Sequence, residues 1–298
     1  MNVLVTGSHG LIGSALVQAL QLGGHKVRRA IRGAANPPDV TWDIPSMYID
    51  AKALEGVEAV VHLAGEGVAA RRWNAAQKER IRGSRVDGTR LLSEALADLD
   101  RPPAVLVSGS AVGWYGDRGN EVLTEDSPPG DDFLSRVCQE WEAATAPAAD
   151  AGVRVVHLRT GIVQTARGGA LRKQLPLFRA GLGGRLGNGL QWVSWISLAD
   201  EIGAVLHVLR RDSLHGPVNA TAPNPVTNAE LTKALGRALH RPAVLPVPRL
   251  ALSVALGAEM AASLLGSQRA LPTRLEADGF TFRHPTVDDG LAAALRDV

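Results

Sequence analysis

Short apolar runs alternate with segments of helical periodicity through the first half of this 298-residue chain, and the alternation predicts βαβ units. Residues 3–6 read as a first strand. Leu11, Ile12, Ala15, Leu16, Ala19 and Leu20 then recur at helical spacing until Gly23-Gly24 stops the helix, and residues 25–31 read as a second strand. Residues 59–63, 104–108 and 153–158 are nearly unbroken apolar runs, the pattern of strands covered on both faces. Ile81, Leu91, Leu92, Ala95 and Leu96 mark helical segments with polar outer faces. The pattern predicts an α/β protein built on a doubly wound parallel sheet. After Val163 the texture turns loop-rich, with seven glycines between Gly168 and Gly189, followed by Trp192 and Trp195. Residues 217–220 look like a short strand returning to the sheet. These breaks predict a first domain over 1–163, to which 200–222 return, and a smaller, interleaved C-terminal substrate-binding part over 164–199 and 223–298.

Composition narrows the class. The apolar fraction is 45% and the charged fraction 21%, both ordinary for a globular protein. Thirty-two basic side chains nearly cancel thirty acidic ones, so the molecule as a whole has no field favouring nucleic acid or an acidic membrane surface, and any anion preference is local. Cys138 is the only cysteine, which excludes an internal disulfide, and the histidines show no metal-ligand spacing. The N-terminus runs straight from strand to glycine without an export signal, and apolar stretches fall short of the ~20 residues that cross a bilayer. The expectation is a cytoplasmic protein without nucleic-acid or membrane partners; oligomeric state is left open.

The first strand and helix are joined by Thr6-Gly7-Ser8-His9-Gly10-Leu11-Ile12-Gly13, with three glycines at three-residue spacing. Gly7 permits a tight turn, Gly10 lets backbone approach a pyrophosphate, and Gly13 lets helix pack on strand, while the helix N-terminus offers its unpaired N–H groups to the anion. Gly7, Ser8, His9, Gly10, Leu11, Ile12 and Gly13 are therefore candidate dinucleotide ligands in a Rossmann-like fold. NAD-specific sites place an acid at the end of the second strand. Here Arg28, Arg29 and Arg32 stand there instead. A guanidinium there suits a 2′-phosphate, which favours NADP(H), with Arg32 the best single candidate; solvation of a strand end is the plainer alternative.

Further residues carry a resemblance that spans nearly the whole chain: Thr6 to Gly13, His62-Leu63-Ala64-Gly65-Glu66, Arg72-Trp73, Ser84-Arg85 with Thr89, Ser110-Ala111-Val112-Gly113-Trp114-Tyr115-Gly116, Phe133-Leu134 with Trp141-Glu142, Leu158-Arg159-Thr160-Gly161, Gly181 to Asp200, Asn219 to Asn228, and Leu271-Pro272 with Gly279-Phe280. Together they resemble the atypical extended short-chain dehydrogenases known as epimerase family proteins, some of them labelled nucleoside-diphosphate-sugar epimerases. The resemblance implies NADP(H) at the C-terminal edge of the sheet, with Arg32 near the adenosine phosphate and His62, Leu63, Ala64 and Gly65 beside the cofactor. Arg85 stands where many extended relatives carry an asparagine, from which it would reach the cofactor or a substrate anion. Ser108 belongs to the strand whose C-terminal end points at the nicotinamide.

Most short-chain dehydrogenases use a Tyr-x-x-x-Lys pair on the helix after the Ser-bearing strand, because a phenol with a pKa near ~10 needs a cation nearby to act at neutral pH. The corresponding segment here, from Phe133 to Glu142, has neither residue. Tyr48-Ile49-Asp50-Ala51-Lys52 is the one literal match, and it reads as a chance match in a surface loop. Ser110 and Tyr115 are the catalytic candidates: a serine to contact substrate, and a tyrosine expected at the cofactor mouth. From Ala151 to Ala199 no acid occurs, while Arg154, Arg159, Arg167, Arg172, Lys173, Arg179 and Arg185 do, so an anionic small molecule is one option for the substrate. Asp200 suits a helix cap. Two functions remain open: an NADP(H)-dependent oxidoreductase or epimerase-like enzyme on a small polar substrate, and a non-catalytic NADPH-binding sensor or interaction protein.

Overall fold

The computed structural model of the chain describes residues 1–296. Chain order begins β1 (Asn2–Thr6), α1 (Leu11–Leu22), β2 (Lys26–Arg32), β3 (Val40–Asp43), β4 (Tyr48–Ile49), β5 (Ala59–His62), α2 (Ala75–Ala97) and β6 (Val105–Ala111). It continues through β7 (Val122–Leu123), α3 (Phe133–Ala143), α4 (Ala146–Asp150), β8 (Arg154–Thr160), β9 (Ile162–Gln164), α5 (Gly169–Arg179), β10 (Trp192–Val193), β11 (Trp195–Ser197), α6 (Leu198–Arg210) and β12 (Gly216–Ala220). The last elements are β13 (Val226–Thr227), α7 (Asn228–Leu239), α8 (Arg249–Leu256), α9 (Ala258–Leu264), β14 (Arg269–Ala270), α10 (Thr273–Ala277) and α11 (Val287–Arg296). Two compact units result. The first comprises Met1–Ser110, Val137–Leu158 and Ile202–Val218; the second comprises Ala111–Arg136, Arg159–Glu201 and the chain from Asn219 onward.

An eight-stranded sheet orders its strands β12-β8-β6-β5-β1-β2-β3-β4. The pairs from β6 through β5, β1 and β2 to β3 are parallel, and β4 closes the edge antiparallel to β3. The chain winds outward from β1 to β3 and then returns to the other side of β1 with β5, so the strand order reverses between β1 and β5. In an open parallel sheet the crevice outside the carboxyl ends of the strands at such a reversal receives ligands. Continuous apolar runs form these central strands because both faces are covered: Val3, Leu4, Val5, Val60, Val61, Leu106 and Val107 are wholly buried. Leu91, Leu92 and Leu96 of α2 pack into the same core as Leu4, Val60 and Leu106.

The second unit gathers distant stretches of sequence. β14 pairs in parallel with β7, aligning Arg269 with Val122 and Ala270 with Leu123. This pairing explains why residues 111–136 belong to the second unit, where the sequence pattern placed them in the first. Its main core joins Leu171, Leu175 and Phe178 of α5 to Trp195, Leu235 of α7 and Leu291 of α11. Gly290 of α11 lies against the Trp195 ring so closely that a Cβ would overlap it. The stretch read as loop therefore contains a helix, because Leu171, Leu175 and Phe178 recur every three or four residues between its glycine clusters. Tyr48 sits on the edge strand β4 rather than in a loop. The cap at α6 also differs from expectation. Ser197 Oγ accepts the Asp200 N–H, whereas the Asp200 carboxylate accepts the N–H groups of Arg283 and His284.

Candidate functional site

In the first unit the glycine turn and the start of α1 form a backbone cradle. Gly7 adopts φ +65°, and a Cβ there would stand 2.7 Å from the Leu63 carbonyl carbon and 2.9 Å from the Ala64 nitrogen. A Cβ on Gly13 would overlap the Gly7 carbonyl oxygen. Gly10 spends its N–H on the Gly7 carbonyl at 2.8 Å and offers no side chain to cap α1, whose first turn also lacks an acid. The N–H groups of Leu11, Ile12 and Gly13 open the helix with no intrahelical acceptor, and the positive end of its dipole is left for an anion. Ser8 is buried beside the turn, while His9 is exposed and 3.4 Å from it through Nδ1 and Ser8 Oγ.

The ends of β1 and β5 are tied by one hydroxyl. Thr6 Oγ1 accepts the N–H groups of Leu63 and Ala64, each at 3.1 Å, and lies 2.7 Å from His62 Nδ1. Having accepted two N–H donors, the hydroxyl directs its own proton to Nδ1, which puts the imidazole proton on Nε2. His62 is wholly buried, and burial, with the Arg85 charge adding to it, lowers its pKa to about 4. It is therefore neutral at pH 7. Its Nε2–H has no hydrogen-bond partner among the described residues, and its ring meets Trp42 edge-on with centroids 5.8 Å apart.

The loop after β5 is then clasped from α2. Ser84 Oγ accepts the Glu66 N–H at 2.9 Å, and Arg85 Nη1 donates to the Glu66 carbonyl at 2.9 Å and the Ile81 carbonyl at 3.1 Å. The Arg85 guanidinium lies 5.1 Å from the centroid of the Trp141 ring. Burial lowers its pKa, yet a guanidinium remains charged. Arg85 thus spends donors on main-chain carbonyls and fixes the 62–66 loop against Gly7. Of its donors, Nη1 is the one engaged with these carbonyls.

The three arginines of β2 separate by partner. Arg28 donates to the carbonyls of Ala53 at 2.6 Å and Glu55 at 3.0 Å. Arg29 is forked onto Asp39, whose pairing raises the Arg29 pKa. Arg32, the last residue of β2, is exposed. No acid lies within β2 itself.

At the end of β6, Ser108 is wholly buried and Ser110 nearly so. Ser110 Oγ donates to Glu142 Oε1 at 2.7 Å, and Glu142 Oε2 lies 3.6 Å from His157 Nδ1. Thr145 Oγ1 donates to the Glu142 carbonyl and so accepts from His157 Nε2 at 2.9 Å, which places a proton on that nitrogen. The sequence reading named Ser110 as a candidate and placed Glu142 only among the residues that carry the resemblance; it did not bring either together with His157.

Tyr115, in the second unit, has no exposed surface, so it does not present its hydroxyl at an open mouth. The hydroxyl donates to Asn219 Oδ1 at 2.7 Å and receives Arg159 Nη1 at 3.3 Å, and burial raises its pKa despite the Arg159 charge. Asn219 and Glu125 extend this knot, with Asn219 N–H donating to Glu125 Oε1 at 3.1 Å.

Comparison with known proteins is extensive. Residues 3–220 match the NAD dependent epimerase/dehydratase family, and residues 247–294 match a domain of unknown function, DUF1731. The chain is 46% identical over 293 residues to the epimerase family protein Mb2239 of Mycobacterium bovis, covering 98% of this chain and 97% of that protein. A crystal structure of the human epimerase family protein SDR39U1 (isoform 2) with NADPH superposes with a TM-score of 0.92 at 35% identity, covering 100% of both chains. The structure of a nucleoside-diphosphate sugar epimerase from Corynebacterium glutamicum gives a TM-score of 0.79 at 40% identity, covering 98% of this chain and 58% of that one.

Proposed function

The chain belongs to the NAD dependent epimerase/dehydratase family, and on that premise we propose that it is an NADP(H)-dependent oxidoreductase or epimerase-like enzyme acting on a small polar substrate. The observation that carries the cofactor assignment is the contrast on β2, where Arg28 and Arg29 are engaged and Arg32 is exposed beside an uncapped helix N-terminus. The backbone of Gly7 to Gly13 holds the pyrophosphate, Arg32 takes the 2′-phosphate, and the Leu63 to Glu66 loop lies along the opposite lip. When bound, the nicotinamide supplies a hydride acceptor or donor.

This chain's own part in the chemistry is the proton. The Ser110 hydroxyl donates its hydrogen bond to Glu142 Oε1, which leaves its lone pairs to act as acceptors. On oxidation of a substrate alcohol, the alcohol proton passes to Ser110 Oγ while the Ser110 proton passes to Glu142. The reverse transfers serve carbonyl reduction. The route uses no tyrosine and no lysine, which fits their absence from α3.

One observation favours a second reading, a non-catalytic NADPH-binding sensor: Tyr115, the tyrosine that follows β6, is sealed and held by Asn219. Fluorescence titration with NADPH and NADH tests the cofactor, with tighter NADPH binding expected. Transfer of deuterium from 4-deuterated NADPH to a panel of aldehydes and ketones tests the enzyme. Tight NADPH binding with no transfer to any carbonyl supports the sensor.

A further inference from the structure

No acid occurs from residue 151 to 199 or from 231 to 258. The structure lays parts of these two acid-free stretches side by side in the second unit. The Leu245 N–H donates to the Gly183 carbonyl, the Val247 N–H to the Arg185 carbonyl, and Arg241 Nε to the Arg179 carbonyl. Arg179, Arg185, Arg241 and Arg249 are all exposed there. So are large aliphatic side chains: Leu177, Leu182, Val244, Leu245, Leu250 and Val254, with Val244 77%, Leu250 76% and Val254 69% accessible. Leu250 and Val254 stand one helical turn apart on α8 and therefore share a face.

Exposed aliphatic residues interleaved with arginines, with no carboxylate in either stretch and Asp288 at the border already paired with Arg237, describe the contact face of a protein that rests on a lipid surface. The apolar tips enter the headgroup boundary and the guanidiniums meet anionic headgroups. Charge decides among the occupants. Two copies of this chain meeting through the face would bring like charges together, and a nucleic-acid strand offers nothing for exposed leucine and valine to enter. Among the described residues no helix is long and apolar enough to cross a bilayer, so the contact is peripheral. We propose that the face formed by residues 177–187 and 241–254 docks on anionic phospholipid membranes. The near-neutral charge of the whole chain conceals it, because the compensating acids lie elsewhere in the sequence.

The test is co-sedimentation of the full chain with vesicles of phosphatidylcholine alone and of phosphatidylcholine mixed with phosphatidylglycerol, alongside light scattering of the free protein. The expected result is sedimentation with the anionic vesicles alone, weakened by salt. Leu250→Asp combined with Val254→Asp should abolish it without changing thermal stability. Arg241→Glu combined with Arg249→Glu should lower it by about tenfold or more, each lost cation being worth about 1 kcal/mol at such a surface. Failure to sediment with anionic vesicles overturns the proposal, as does equal sedimentation with neutral ones or undiminished binding by the aspartate variant. A dimer that the aspartate variant splits into monomers also overturns it, since the face would then belong to a second copy.

Discussion

Asp39 grips Arg29 with both carboxylate oxygens, Oδ2 lying 3.0 Å from Nε and 2.6 Å from Nη2. The pair occupies Asp39, a carboxylate that would otherwise suit a ribose 2′-hydroxyl, and one of the β2 cations that suits a 2′-phosphate. Arg32, at the end of the strand, is left exposed. Arg32→Ala should weaken NADPH binding by about 1.5–3 kcal/mol, the scale of a charge-assisted hydrogen bond, and leave NADH binding nearly unchanged. Paired fluorescence titrations measure this, and equal losses for both cofactors count against a 2′-phosphate contact.

The clasp on the 62–66 loop predicts a different signature. Arg85→Ala frees the Glu66 carbonyl and uncovers Trp141. Affinity for NADPH should fall by about tenfold, the worth of one hydrogen bond to a charged group. Affinity for adenosine 2′,5′-bisphosphate, which bears the adenosine half alone, should hold. A loss shared by both ligands would mean that the substitution disturbs the whole cradle.

Tyr48 and Lys52 match a catalytic spacing by chance. Tyr48 is half exposed on the edge strand β4, and Lys52 is exposed on the short 3-10 turn that follows. Tyr48→Phe should leave NADPH affinity and any measured turnover within about twofold. A drop of ~100-fold, the scale of a general acid or base, would reinstate the pair.

Glu201 carries a stability prediction. It is wholly buried, with Thr160 donating to Oε1 at 2.9 Å and no hydrogen-bond partner at Oε2 among the described residues, and burial raises its pKa to about 8. The folded carboxyl keeps its proton while the unfolded one releases it above its ordinary value of 4.5. Stability from this group is therefore full below pH 4.5 and declines as the pH rises toward 8, by at most about 4 kcal/mol. Glu201→Gln should raise the Tm at pH 8 and change it little at pH 5, as differential scanning fluorimetry can show. Equal shifts at both values would indicate that proton release is not involved.

Periodicity made the first unit readable. The runs around Val5, Val61 and Val107 are strands buried on both faces, and Gly7, Gly10 and Gly13 stand where a strand gives way to a helix. Helix α5 was obscured because its apolar Leu171, Leu175 and Phe178 are few and the glycines around them dominate the composition. The pairing of β7 with β14 was invisible for a different cause: two residues per strand carry no periodic signal, and the partners lie far apart in sequence. In the site, charge pattern identified a basic end to β2 but not which arginine is engaged, since that depends on where Asp39 and the Ala53 carbonyl fall in space. The tautomer of His62 and the Ser110–Glu142–His157 chain likewise exist only once strands are aligned.

The seating of Gly290 on Trp195 has a bearing on synthesis. The first unit draws its last segment from Ile202–Val218, so its whole sequence is synthesised before α11, which begins at Val287. The second unit cannot close its core until α11 arrives with Leu291, which packs in the same cluster as Trp195. A nascent chain therefore carries Trp195 without its cover until α11 has been made. Stalling or truncation before α11 leaves the first unit tethered to an open, aggregation-prone second one.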